Sequence, residues 1–152
     1  MTVKNIVSAV LLGVALPATA FLAPEAHAYP LPDEWITAVC VPGTFTGMDP
    51  NPGPGDRPMS HALTDGGCKA KEGTEILVLI GTYSSKGAAM DDLKHVYSGI
   101  GYPKNTWKPG TYAGASSQNK TEVVVFAALL STTALNPLKA YNFNIDPLPS
   151  QV

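Results

Sequence analysis

Four side chains in this chain could support acyl-transfer chemistry: Ser84 and Ser85 as nucleophiles, His61 and His95 as bases. A serine hydroxyl attacks a carbonyl carbon only when a base within hydrogen-bond reach takes its proton. Three rings, Tyr102, Trp107 and Tyr112, share one Pro- and Gly-containing stretch. Rings spaced in this way stack on sugar faces or line an acyl groove, or else pack down to cover a sheet. Two cysteines, Cys40 and Cys68, complete the reactive set. In an oxidising compartment an even pair reads as a disulfide, worth about 3–4 kcal/mol through loop closure. With His61 as their only nearby histidine and no Cys-x-x-Cys spacing, the pair offers too few ligands for a metal site.

The elements that must position these groups favour quieter roles for several of them. Ser84 and Ser85 lie between an aliphatic run and a helical pattern, where a serine caps the helix. A nucleophile elbow needs glycine two residues before and two after the serine. Gly81 and Gly87 are too widely spaced for either Ser84 or Ser85 to satisfy this. His95 falls in the last turns of the same helix, where the dipole favours positive charge. Asp91 and Asp92 read as a solvated helix face. Gly81 and Gly87 also lack the Lys-Ser/Thr ending of a phosphate-binding loop, so no cofactor is expected.

Trp35 to Val41 is apolar and β-branched and reads as a strand. Residues 47–58 are rich in Pro and Gly and read as a loop tied to that strand by the disulfide. Glu75 to Thr82 and Thr121 to Leu130 are near-continuous aliphatic runs, which predicts strands buried on both faces. Lys86 to Ser98 predicts a helix with Ala89, Leu93, Val96 and Tyr97 on its apolar face. Tyr102 to Lys120 reads as irregular. Lys139 to Ile145 alternates as an edge strand, with Tyr141, Phe143 and Ile145 on one face. The expected fold is α/β or α+β: a small single-domain sandwich of about four strands with one clear helix and one disulfide. Cover for the second sheet face would come from the loops, from an extra helix at Ser60–Leu63 or Leu130–Leu138, or from a partner.

Residues 1–28 read as a secretory signal peptide. Lys4 supplies the positive start, Ile6 to Ala23 the apolar run, and Ala26-His27-Ala28 the cleavage site. Residues 29–152 are then a single domain that is secreted or held in the cell envelope, without a membrane span after processing. The chain has 10 Lys plus Arg against 12 Asp plus Glu, a net charge of −2 with no basic cluster. A nucleic-acid partner is therefore not expected. Asn119-Lys120-Thr121 fits the N-glycosylation pattern.

Two family resemblances follow from short patches. Val41-Pro42-Gly43-Thr44-Phe45 and Gly101-Tyr102-Pro103 with Trp107, Pro109 and Tyr112 resemble the exported cutinase-like and PE-PPE-type serine ester hydrolases. This resemblance implies oxyanion-hole amides in the first patch and a lipid ester as substrate. Val78-Leu79-Ile80-Gly81-Thr82-Tyr83-Ser84-Ser85-Lys86, followed by Gly101-Tyr102-Pro103, is similar to the first half of SPOR-type domains. That likeness implies binding of cell-wall glycan on a sheet face. The second half of the pattern would need a glycine where Leu130-Ser131-Thr132-Thr133 stands. The leading expectation is a binding or accessory module outside the cytosol. A serine esterase, shortened or inactive, is the alternative.

Overall fold

The computed structural model describes residues 31–50, 58–116 and 122–152. The segment read as a signal peptide, most of the Pro/Gly-rich loop and the Asn119 pattern lie outside the described residues. Helix α1 spans Asp33–Val39, strand β1 Thr46–Pro50, β2 Thr64–Ala70 and β3 Gly73–Tyr83. Helix α2 spans Lys86–Gly99, β4 Thr111–Ser116, β5 Val123–Ala128 and β6 Asn144–Pro147. Short 3-10 turns lie at Lys104–Thr106 and Asn136–Tyr141. All strand pairs are antiparallel, in one sheet ordered β1-β2-β3-β5-β4-β6.

The two aliphatic runs become β3 and β5, which pair with each other at the centre of the sheet. Their side chains alternate between two cores. Val78, Ile80, Val124, Phe126 and Ala128 face α1 and the Asn136–Tyr141 turn. Leu79, Tyr83, Val125 and Ala127 face α2. A strand buried on both sides needs apolar side chains at odd and even positions alike, which explains the unbroken runs. The described residues form three layers, with six strands where about four were expected.

Several segments depart from the sequence reading. Trp35 to Val41 is helix α1 up to Val39, not a strand. A short apolar run serves either period; here Trp35, Ile36 and Val39 recur at helical spacing and pack on the sheet. The acids Asp33 and Glu34 in the first turn favour the helix start. Strand β1, Thr46–Pro50, takes up the first four residues of the segment 47–58 read as loop. β1 is an edge strand, where a terminal proline such as Pro50 is tolerated. Cys68 lies in β2, which the glycines Gly66 and Gly67 had concealed. A Cβ on Gly66 would stand 2.7 Å from the Thr46 carbonyl oxygen, and one on Gly67 3.0 Å from that of Val78. β4 occupies part of the stretch read as irregular. The edge strand expected at Lys139 to Ile145 begins only at Asn144, because Asn142 ends the 3-10 turn in the left-handed conformation with φ 64°. Phe143 is buried and Ile145 half-buried, while Tyr141 is exposed.

Cys40 and Cys68 are joined in a disulfide, with their Cα atoms 5.6 Å apart. Both are buried in the α1-side core. The bridge fastens the end of α1 to β2, beside the backbone pairing of Cys40 with Ala70.

Close approach also requires glycine at position 81. A Cβ on Gly81 would lie 2.8 Å from Cε2 of Tyr83 and 2.9 Å from the sulfur of Met59. Gly81→Ala forces the Tyr83 ring and Met59 apart and is expected to cost about 1–3 kcal/mol. A lowered urea midpoint checks this, and an unchanged one contradicts the contact.

Candidate functional site

Helix α2 carries or borders the candidate serines, histidines and rings. Ser85 is its N-cap, and its hydroxyl accepts the Ala88 amide at 3.2 Å. Ser84 is exposed beside it. Neither serine is hydrogen-bonded to a histidine among the described residues. His95 is exposed and donates Nδ1–H to the carbonyl of Asp91, one turn back on its own helix, at 2.9 Å. The turn expected to supply oxyanion donors directs the Thr44 amide inward, onto the Val41 carbonyl at 3.1 Å.

His61 meets an acid that the sequence reading had placed in solvent. Asp92 is only 4% exposed. Its carboxylate accepts His61 Nδ1–H at 2.6 Å, the His61 backbone amide at 2.9 Å and the Ser60 hydroxyl at 3.2 Å. The hydrogen bond and charge of Asp92 raise the His61 pKa above its ordinary value, and Asp91 adds to this. Beneath them the Tyr83 hydroxyl is fully buried. It is close enough to Asp92 for burial and that carboxylate to push its pKa far upward, yet its geometry falls short of a hydrogen bond. Ala89, Asp92, Leu93 and Val96 all lie on the buried stripe of α2. A charged residue at those spacings was the signal in the sequence, since a carboxylate facing the core requires donors.

Ser60, His61 and Asp92 do not make a hydrolase triad. A triad divides the imidazole, one nitrogen for the acid and the other for the serine. Here the carboxylate and the Ser60 hydroxyl both sit at Nδ1, the latter at 3.4 Å.

The expected ring cluster separates into two. Trp107 stacks on Tyr97 of α2, with centroids 5.8 Å apart and planes at 23°. Lys104 Nζ lies 5.6 Å from the Trp107 ring centroid. Trp107 Nε1–H donates to the Tyr102 carbonyl at 2.8 Å, and Tyr102 meets Tyr97 edge-on at 6.0 Å. Trp107 is thus engaged in packing, while Tyr102 remains exposed.

Tyr112 stands apart, in a groove of about 270 Å³ between α2 and strands β4, β5 and β6. The floor is small and apolar: Ala89, Leu93, Gly114 and Val125. Lys86, Tyr112, Asn144 and Asp146 bring polar groups to its lining. Tyr112 and Asp146 are cross-strand neighbours, as are Gly114 and Asn144. Partial burial, then the charge of Asp146, raises the Tyr112 pKa, so the phenol stays a neutral donor. Only Tyr112 of this set was marked in the sequence. Lys86, Asn144 and Asp146 reach the groove through strand pairing and helix packing.

Among the described residues no group of three or more His, Cys, Asp or Glu side chains could hold a metal ion. No helix among them is long and apolar enough to cross a membrane. Compared with known proteins, the chain matches no family model, no curated protein and no solved structure.

Proposed function

We propose that the chain acts outside the cytosol as a disulfide-stabilised binding or accessory module, taking a cell-wall glycan in the groove between α2 and strands β4 to β6. The observation that carries this reading is the groove's lining: the Tyr112 ring beside Asn144, Asp146 and Lys86, over a small apolar floor. A sugar presents an apolar C–H face and a rim of hydroxyls. An aromatic ring takes the first, while an amide and a carboxylate take the second. The leader-like residues 1–28 and the disulfide motivate the extracytoplasmic setting.

The test is co-sedimentation of residues 29–152 with isolated sacculi. The unmodified domain is expected to pellet, and Tyr112→Ala and Asp146→Asn to remain largely in the supernatant, with Asp146→Asn keeping the unmodified thermal midpoint. A domain that stays in the supernatant itself removes the glycan reading. A p-nitrophenyl acyl ester is expected to survive incubation with the protein. Turnover lost in Ser84→Ala or Ser85→Ala would instead favour the serine-esterase alternative.

A further inference from the structure

We infer that His61 and Asp92 form a proton-controlled latch that holds the turn at residues 58–63 against α2. Three hydrogen bonds from two adjacent residues of this turn end on the one buried carboxylate. Beneath the latch, Met59 is 1% exposed and packs with Tyr83 in the α2-side core. The next residue but one after His61 is fixed independently: the Leu63 amide joins the sheet on the Thr82 carbonyl at 2.7 Å. The latch therefore governs a short segment whose release would uncover Met59 and the Tyr83 hydroxyl.

Among the described residues, the charges paired with His61 have one sign. From α2 it meets Asp92 at 2.6 Å and Asp91 at 3.9 Å. From its own turn it meets the Ser60 hydroxyl. Below Asp92 lie Tyr83 on β3 and Asp65 on β2, and both carboxylates act on that phenol. Among the described residues no lysine or arginine forms an ion pair with Asp91 or Asp92. Among the described residues these two acids act on His61 without a competing cation, which favours the protonated imidazole.

The direction in pH follows. An unfolded histidine titrates near 6.5, and His61 in the folded chain titrates above that. The charge-assisted latch is complete below the unfolded value and is lost as pH rises through the raised folded one. Above it, neutral His61 still donates Nδ1–H to Asp92, so the turn opens more often without coming free. Mild acid closes the turn and alkali loosens it.

The His61 amide reports the state of the latch directly, because it donates to Asp92 at 2.9 Å. Hydrogen exchange of the folded domain, corrected for the intrinsic base-catalysed rate, is the measurement. A pair whose imidazole is half-exposed to solvent predicts that His61 protection falls about two- to fivefold between about pH 6 and about pH 8.5. Leu63 protection is expected to stay constant over the same range. His61→Gln keeps a donor but no titratable ring, and the protection of its amide should be flat with pH. Ser60→Ala leaves the titrating pair intact and should retain the slope. Flat His61 protection in the unmodified protein, or an undiminished slope in His61→Gln, overturns the latch.

Discussion

Replacing Cys40 and Cys68 together by alanine lowers stability by about 3–4 kcal/mol, the chain-entropy value for a loop of this length. The bridge spans a sequence separation of 28 and encloses the turn after α1, β1 and much of β2. Without it, α1 is held to the sheet by side-chain packing and by a few backbone bonds, among them Lys71 N–H to the Val39 carbonyl at 2.8 Å. That helix is only seven residues long, too short to persist without tertiary support. The loss converts to roughly 10–20 °C in the thermal midpoint of a domain of this size. Calorimetry of the double variant against the oxidised parent reads it directly. An equal midpoint in the two would mean that the bridge contributes nothing to the folded state. Reductant should lower the parent toward the variant and leave the variant unmoved.

Tyr97 is the second position of large effect. Its side chain links three separate parts of the molecule. The hydroxyl donates to the Lys108 carbonyl at 2.6 Å and accepts the Leu130 amide at 3.1 Å. Its ring carries Trp107 on one side and meets Tyr102 edge-on. Tyr97→Phe removes only the hydroxyl and leaves the Leu130 amide and Lys108 carbonyl without it, at about 1–3 kcal/mol. Tyr97→Ala also empties a core position, at about 3–5 kcal/mol. The ordering of the two variants, Phe milder than Ala, is the diagnostic result in chemical denaturation. Tryptophan fluorescence should follow the same order, because Trp107 loses its stacking partner only in the alanine variant. Equal stability of Tyr97→Phe and the parent would show that the hydroxyl does not tie α2 to the segments after the 3-10 turn Lys104–Thr106 and after β5.

The central pair of strands and helix α2 were legible because their burial is written into local runs. Ile76 to Ile80 and Val123 to Ala128 are apolar at consecutive positions, and Ala89, Leu93, Val96 and Tyr97 recur at helical spacing. Ser85 capped α2 as its position predicted. The peripheral strands were not legible for the converse reason. Thr-Asp-Gly-Gly-Cys-Lys-Ala in β2 and Thr-Tyr-Ala-Gly-Ala-Ser in β4 carry little intrinsic strand preference. They are strands because central neighbours offer them a hydrogen-bonding edge, and in β2 because the adjacent backbone leaves room only for glycine. Helix α1 was misread because seven residues of apolar sequence fit either period, and only the sheet face beneath decides which side chains are buried.

The candidate sites divide along the same line. The cysteine pairing followed from two residues and their chemistry, with no geometry needed. His61 and Tyr112 were noticed by type, but their partners were not. Asp92 lies 31 residues from His61, and Asp146 reaches Tyr112 through the pairing of β6 with β4.

What the chain's order of residues determined alone was whatever depends on near neighbours: the two aliphatic strands, the amphipathic helix with its serine cap, and a cysteine pair with no other thiol to join. Tertiary structure decided the strand count, the helical state of Asp33–Val39, and which polar groups meet. Those outcomes are set by contacts between residues far apart in the chain, and no local preference encodes the free energy of such contacts.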